Sequence, residues 1–217
     1  MFDLYLFDLD GTLVDTRRDI AEAVNHVLRL HDRPVAELAT VISWVGDGVD
    51  DMMKRAFKTD EGQFVGELVD EFRSSYMDHC TDFSHLYESC AETLTSLQER
   101  GAHLSVLTNK PQDLSLEILR RLGILQYFDR VVGPNDADLR KPNPSNLLSL
   151  IRDIGASRER TLMIGDSRND ILVANNAGVA SCGCTFGYIG RDALLELKPT
   201  YLVDSLPQIL VLTGPGS

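Results

Sequence analysis

Asp8-Leu9-Asp10-Gly11-Thr12 places two carboxylates one residue apart at the end of a short apolar run, Phe2–Phe7. Two carboxylates this close at the carboxyl end of a strand make a compact acidic site. Such a site can bind one hard dication and leave a carboxylate oxygen free to attack an electrophile. Gly11 lets the chain turn sharply, and Leu13-Val14 supplies an apolar anchor behind the turn. An EF-hand loop is excluded, because its glycine must follow three acidic or amide residues and a Glu must close the loop. An ordinary Asp-Gly hairpin turn stays open on this segment alone.

Three further groups share the same placement. Thr108-Asn109 follows the apolar run Leu104–Leu107. Lys141 precedes Pro142-Asn143-Pro144, beyond Val131-Val132. Gly165-Asp166-Ser167-Arg168-Asn169-Asp170 follows Thr161–Ile164. Each group has a plain reading when taken alone. Thr108 suits a helix N-cap, Lys141 a solvated surface position, and Asp166 and Asp170 the positive end of a helix. Together they supply two pairs of carboxylates, one hydroxyl and one lysine, each at a strand end. In a parallel sheet those ends share one edge, so the groups can converge.

The elements that must position them follow from the pattern. Strands are expected at Phe2–Phe7, Leu104–Leu107, Val131-Val132, Thr161–Ile164, Ala180–Cys184 and Tyr201–Val203. Between them lie helical patterns: Ala91, Leu94 and Leu97; Leu114, Ile118, Leu119 and Leu122, closed by Gly123; Leu147, Leu148, Ile151 and Ile154, closed by Gly155; and Asn169–Ala177, ended by Gly178. This alternation implies an α/β fold, a Rossmann-like parallel sheet core with helices on both faces. Residues 15–81 break the alternation. Ile20, Val24, Val27 and Leu28 fit one helix, and Val65, Leu68, Val69, Phe72 and Tyr76 another, with Val41–Phe57 helical around Gly46-Asp47-Gly48. We read 1–14 and 82–217 as the core and 15–81 as a small helical cap inserted after the first strand. A cap there lies over the strand ends, where ligands of open α/β sheets bind.

Composition narrows the classes. The chain has 217 residues, enough for one large domain or a domain with an insert. A hydrophobic fraction of 43% supports a real core. Asp and Glu outnumber Lys and Arg, 33 to 21, for a net charge of −12, which argues against nucleic acid or an anionic membrane as partner. No run approaches the ~18 apolar residues of a membrane span. Met1 leads almost directly into a strand, so no signal peptide is expected and the protein reads as cytoplasmic. Cys80, Cys90, Cys182 and Cys184 form no C-x-x-C pair and read as reduced thiols. The tail Thr213–Ser217 is expected to be disordered.

Taken together, Asp8-Leu9-Asp10-Gly11-Thr12-Leu13-Val14-Asp15, Leu107-Thr108-Asn109-Lys110-Pro111, Lys141-Pro142 and Gly165-Asp166-Ser167-Arg168-Asn169-Asp170 resemble the four motifs of the haloacid dehalogenase superfamily, in its phosphatase branch. The resemblance spans essentially the whole chain. It implies that Asp8 attacks phosphorus to form an aspartyl-phosphate, and that Asp10 protonates the leaving oxygen and later activates water. It further implies that Thr108 and the Asn109 N–H bind the phosphoryl oxygens and that Lys141 balances charge. Mg²⁺ is then expected on Asp8, the Asp10 carbonyl and Asp166, with Asp170 supporting the metal through water or orienting Lys141.

Trp44-Val45-Gly46-Asp47-Gly48 and Phe186-Gly187-Tyr188 add a likeness to the phosphoglycolate phosphatases within that family. The substrate expected from it is a small phosphorylated metabolite, 2-phosphoglycolate first. A pyrophosphatase, a sugar-phosphate phosphatase and, further off, a hexose-phosphate mutase are the alternatives. Asp47 departs from the likeness, since its charge disfavours an anionic substrate unless it points away. Arg17, Arg18, Lys54 and Arg55 are the cap cations that substrate could meet, and Trp44 is read as cap core ahead of a substrate platform. Asp15-Thr16 and Thr81–His85 are the expected hinges. A monomer and a homodimer both remain open.

Overall fold

Runs of apolar residues four to five long, separated by amphipathic stretches closed by Gly, fold as strands crossing over through helices. The structure is a computed structural model that describes residues 1–134 and 136–214. In chain order the elements are β1 (Leu4–Phe7), β2 (Val14–Asp15), α1 (Arg17–Leu30), α2 (Leu38–Ile42), α3 (Val49–Phe57), α4 (Gly62–His79), β3 (His85–Leu86), α5 (Cys90–Glu99), β4 (His103–Leu107), α6 (Gln112–Arg121), β5 (Arg130–Val132), α7 (Ser145–Ile154), β6 (Thr161–Gly165), α8 (Arg168–Ala177), β7 (Ala180–Cys184), α9 (Gly190–Glu196) and β8 (Tyr201–Val203). Short 3-10 turns fill several of the connections.

Six strands form one parallel sheet in the order β5-β4-β1-β6-β7-β8. The chain runs outward from β1 through β4 to β5, then returns to β6 on the other side of β1. That reversal opens a crevice at the carboxyl ends of β1, β4 and β6. All four residues of β1 are buried, as expected for a strand covered on both faces. Tyr5, Phe7, Val106 and Ile164 face one apolar cluster, which extends into α1, α4, α5 and α6. Leu4, Leu6 and Met163 face a second cluster built with α7 and α8. Gly155 and Gly178 end α7 and α8 in the left-handed conformation, as their sequence positions suggest.

Two differences from the sequence reading matter. Phe2 and Asp3 precede the first strand, although Phe2 is buried in the core. The helix expected around Gly46-Asp47-Gly48 is divided there, into α2 and α3. Gly48 has φ 105, and a Cβ at that position would overlap the Arg140 guanidinium, so the loop is built around glycine. The four helices α1–α4 lie between β2 and β3, which pair antiparallel as Val14↔Leu86 and Asp15↔His85. Asp19 on α1 is buried and accepts hydrogen bonds from Phe83 N–H, Ser84 N–H and the Ser84 hydroxyl, tying the returning chain to the first cap helix. Tail residues 215–217 lie outside the described residues, whereas the Thr213 carbonyl accepts a hydrogen bond from Tyr201.

Candidate active site

The register of the sheet places the chemistry-bearing residues. Phe7 pairs with Val106 on one side and Ile164 on the other. Asp8 therefore emerges one residue past β1, Thr108 just past β4, and Asp166 just past β6. The Asp8 N–H donates to Ile164 O at 2.8 Å, and the Thr108 N–H donates to Val132 O at 3.0 Å, so both turns stay locked to the sheet.

Asp8 Oδ1 accepts the Leu9 N–H at 2.8 Å and lies 3.0 Å from Lys141 Nζ. Its Oδ2 takes no hydrogen bond among the described residues. Lys141 Nζ also donates to Asp170 Oδ1 at 2.6 Å. Asp170 Oδ2 accepts from Ser167 N–H at 2.9 Å and from the Ser167 hydroxyl at 2.6 Å, completing the capping box that starts α8. Both Asp170 oxygens are thus in use, one as a helix cap and one on Lys141. Asp166 accepts from Tyr188 N–H at 2.5 Å and from the Thr12 hydroxyl at 3.4 Å. Gly11 has φ 81, and a side chain there would overlap the Asp166 carboxylate, so the close approach of the first turn to Asp166 requires glycine.

The charge balance is uneven. Asp8, Asp166 and Asp170 are buried and each offers an oxygen within 4.8 Å of the others, against the single ammonium of Lys141. Burial first, then the Asp170 charge, push Asp8 up to about 6 despite Lys141. Burial and the charges of Asp170 and Asp8 hold Asp166 well above the usual carboxylate range. Burial works against the Lys141 charge, but Asp170 and Asp8 outweigh it and hold the ammonium above its ordinary value. An all-oxygen donor set with excess negative charge fits a hard dication such as Mg²⁺.

A cavity of roughly 550 Å³ opens above this floor. Asp8, Asp10, Thr108, Asn109 and Asp166 line it from the core, and Ile20, Leu38, Ile42, Val45, Val49 and Met52 line it from the cap. Trp44 packs against the apolar core and is absent from the cavity wall, as is Asp47. Asp47 turns instead to Arg55 and to Asn169, which donates at 2.8 Å, so its charge does not face the cavity. Of the four cap cations, Arg17 alone lines the cavity, and it is paired with Asp15. Arg18 lies over the Phe83 ring, Lys54 pairs with Asp51, and Arg55 pairs with Asp47.

Asn109 has a second engagement. Its amide donates to Lys141 O at 2.9 Å and to Gly46 O at 2.8 Å, and its oxygen accepts the Lys141 N–H at 2.7 Å. The side chain joins the cap loop to the backbone beside Lys141, leaving the Asn109 N–H as its group for a ligand.

Around Asp10 the structure adds residues that sequence reasoning did not place. Thr16 donates its hydroxyl to Asp10 Oδ1 at 2.6 Å and shares a hydrogen bond with the Tyr188 hydroxyl at 2.8 Å. Lys110 Nζ lies 3.0 Å from both Asp10 oxygens and 3.0 Å from the Tyr76 hydroxyl. Lys110 stood inside the strand-end segment Thr108-Asn109-Lys110, which was its one available signal. Tyr76 read as one apolar position of a helix, and nothing local to it marks a polar partner.

Comparison with known proteins agrees with this geometry. Residues 5–184 match the family model of the haloacid dehalogenase-like hydrolases. The phosphoglycolate phosphatase of Pectobacterium atrosepticum is 34% identical over 215 residues, covering 97% of this chain and 92% of its own. That of Vibrio vulnificus is 37% identical over 215 residues, covering 95% and 94%. The crystal structure of a predicted phosphoglycolate phosphatase from Haemophilus somnus superposes with TM-score 0.89 at 32% identity, covering 96% of each chain. That of a predicted phosphatase from Clostridium acetobutylicum superposes with TM-score 0.87 at 26% identity, covering 97% of each. With a family model matched over most of its length and relatives above 30% identity along nearly all of it, the chain belongs to the haloacid dehalogenase-like hydrolases, in their phosphatase branch.

Proposed function

We propose that this phosphatase hydrolyses a small phosphorylated metabolite through a phospho-Asp8 intermediate with Mg²⁺, and that 2-phosphoglycolate is its substrate. The observation that carries the mechanism is the meeting of Asp8, Thr108 and Asp166 on the wall of one cavity, with Lys141 paired to Asp8 Oδ1 and with Asp8 Oδ2 free of hydrogen bonds among the described residues. The names of the relatives support the choice of substrate.

In this reading Asp8, the Asp10 carbonyl and Asp166 hold Mg²⁺, and Asp170 serves by orienting Lys141. A carboxylate approaching a phosphate dianion meets repulsion of about 4 kcal/mol per charge pair at ~4 Å near a protein surface. When bound, Mg²⁺ supplies positive charge against that repulsion. Lys141 opposes it from the other side of the Asp8 carboxylate. The Thr108 hydroxyl and the Asn109 N–H receive the phosphoryl oxygens. Asp8 Oδ2 forms a bond to phosphorus as the bond to the ester oxygen breaks, and Asp10 gives that oxygen a proton. Asp10 then takes a proton from the water that attacks phosphorus and releases Asp8. The cap excludes bulk water while the acyl phosphate exists.

The test is phosphate release from 2-phosphoglycolate, pyrophosphate, sugar phosphates and an aryl phosphate, with Mg²⁺ and with EDTA. Mg²⁺-dependent preference for 2-phosphoglycolate is expected. Preference for a sugar phosphate or pyrophosphate keeps the phosphatase and removes that substrate. Asp8→Asn, shown to be folded, is expected to lose at least about 10³-fold in kcat. Turnover by that variant at the wild-type rate would falsify the phospho-Asp8 mechanism. The four cysteines are all buried as free thiols, which suits the reducing cytoplasm expected from the sequence.

A further inference from the structure

Lys110 has no part in the steps above, yet it is a buried cation on the cavity wall. Its side chain is 5% exposed. Burying an ammonium costs several kcal/mol unless it is well paired. Arg17 is the other cation on the wall; each is paired with an aspartate, Lys110 with Asp10 and Arg17 with Asp15, but Arg17 stands 42% exposed whereas Lys110 is enclosed. Elsewhere the cap side of the cavity is mostly apolar and carries no other charged side chain. A substrate carrying a second anion besides its phosphoryl group therefore has one buried cation to meet, on the core side of the cavity, among the described residues.

The position of Lys110 suits this. Asp10 is the residue assigned to the ester oxygen, and Lys110 Nζ lies 3.0 Å from both Asp10 oxygens. In 2-phosphoglycolate the carboxyl carbon is two bonds from the ester oxygen, within the reach of a group beside Asp10. Tyr76 supports the ammonium from behind the cavity wall. Its hydroxyl accepts from Lys110 Nζ at 3.0 Å, and its own O–H finds no acceptor among the described residues although the residue is buried. Lys110 comes from the core and Tyr76 from α4 of the cap.

We infer that Lys110, supported by Tyr76, is the specificity-determining residue that receives a substrate carboxylate next to the ester oxygen. The site thus selects phosphomonoesters of short 2-hydroxy acids over phosphomonoesters of neutral alcohols. This inference rests on the phosphatase reading above.

The experiment compares kcat/KM for 2-phosphoglycolate and for ethyl phosphate, which has the same chain length and no carboxylate, at saturating Mg²⁺. Lys110→Met is expected to lower the ratio of the two by about 10- to 100-fold, the range of a charge-assisted hydrogen bond, chiefly through KM for 2-phosphoglycolate. Tyr76→Phe is expected to lower the same ratio by about 3- to 10-fold, and it decides the matter if Lys110→Met does not fold. Equal losses on both substrates, leaving the ratio unchanged, overturn the inference and make Lys110 a positioning residue for Asp10. A wild-type enzyme that hydrolyses both esters equally well overturns it too, while leaving the phosphatase reading in place. Failure to hydrolyse either ester overturns the substrate reading first and this inference with it.

Discussion

Lys141 holds two carboxylates at once, 3.0 Å from Asp8 and 2.6 Å from Asp170, with almost no exposure of its own. Removing it leaves both buried acids without a paired cation. Lys141→Met is expected to destabilise the metal-free protein at neutral pH by about 3–5 kcal/mol in urea unfolding, with part of the loss regained on adding Mg²⁺. Asp8 has its own pH signature. Its value is raised from 3.8 to about 6 by burial and by Asp170. The stability it contributes to the metal-free protein is full below about 4 and is lost as pH rises through about 6. A dication needs the ionised form, so it must displace a proton below about 6 and none well above it. The rise in Tm on adding Mg²⁺ should be larger at about pH 7.5 than at about pH 5, and equal shifts would count against Asp8 as a ligand. The positions of Asp8, Thr108 and Asp166 were legible because each follows a strand directly, and those of Lys141 and Asp170 because they lie in the segments leaving β5 and β6; a parallel sheet gathers such positions. Thr16, Lys110, Tyr76 and Tyr188 were not, because their polar contacts join residues as far as 172 positions apart.

The cap loop between α2 and α3 is read by three core loops, each through a residue next to one assigned to chemistry. Asn109 and Asn169 donate to Gly46 O at 2.8 and 3.1 Å. Arg140 donates to Asp47 O at 3.3 Å, pairs with Asp50, and lies 3.5 Å from Asp51. These contacts make a latch whose parts flank Thr108, Lys141 and Asp170. Arg140→Ala should loosen it. Amide exchange over 46–51 should quicken by about tenfold and KM should rise several-fold, while the melting temperature of the core changes little. Unchanged exchange would mean that the two asparagines hold the loop alone. The strands of the main sheet were readable within a residue or two, since continuous apolar runs bounded by turns mark buried parallel strands. The pair β2–β3 was not readable, because two residues carry no periodicity. The tie from Asp19 holds Phe83 and Ser84, inside the expected hinge Thr81–His85, to α1.

A chain with net charge −12 that acts on an anion works against its own field. Attraction is confined to the neighbourhood of the cavity, where Lys110 lines the wall and Lys141 is buried against Asp8. Over longer distances the molecule repels its substrate, and salt screens that repulsion with a Debye length near 10 Å at 0.1 M. At saturating Mg²⁺, KM for an anionic substrate should therefore fall, by about two- to threefold, between roughly 0.01 M and 0.2 M monovalent salt. A KM that climbs with salt would mean that the local positive site governs capture from a distance. The sign of the overall charge was plain from composition, whereas the enclosure of the two lysines depends on how the cap and the sheet edge meet.

The β2–β3 ribbon has a further consequence. The whole segment from Arg17 to Ser84 leaves and re-enters the core through two strands that lie side by side, joined by the pairs Val14↔Leu86 and Asp15↔His85. Because its ends are already together, exchanging that segment for a longer or shorter one changes the loop-closure term by only about 0.6 kcal/mol per doubling of length. The ribbon is thus a splice junction. Through it the segment can be replaced without breaking the main sheet, at the cost of the contacts that Gly46 and Tyr76 make with Asn109 and Lys110.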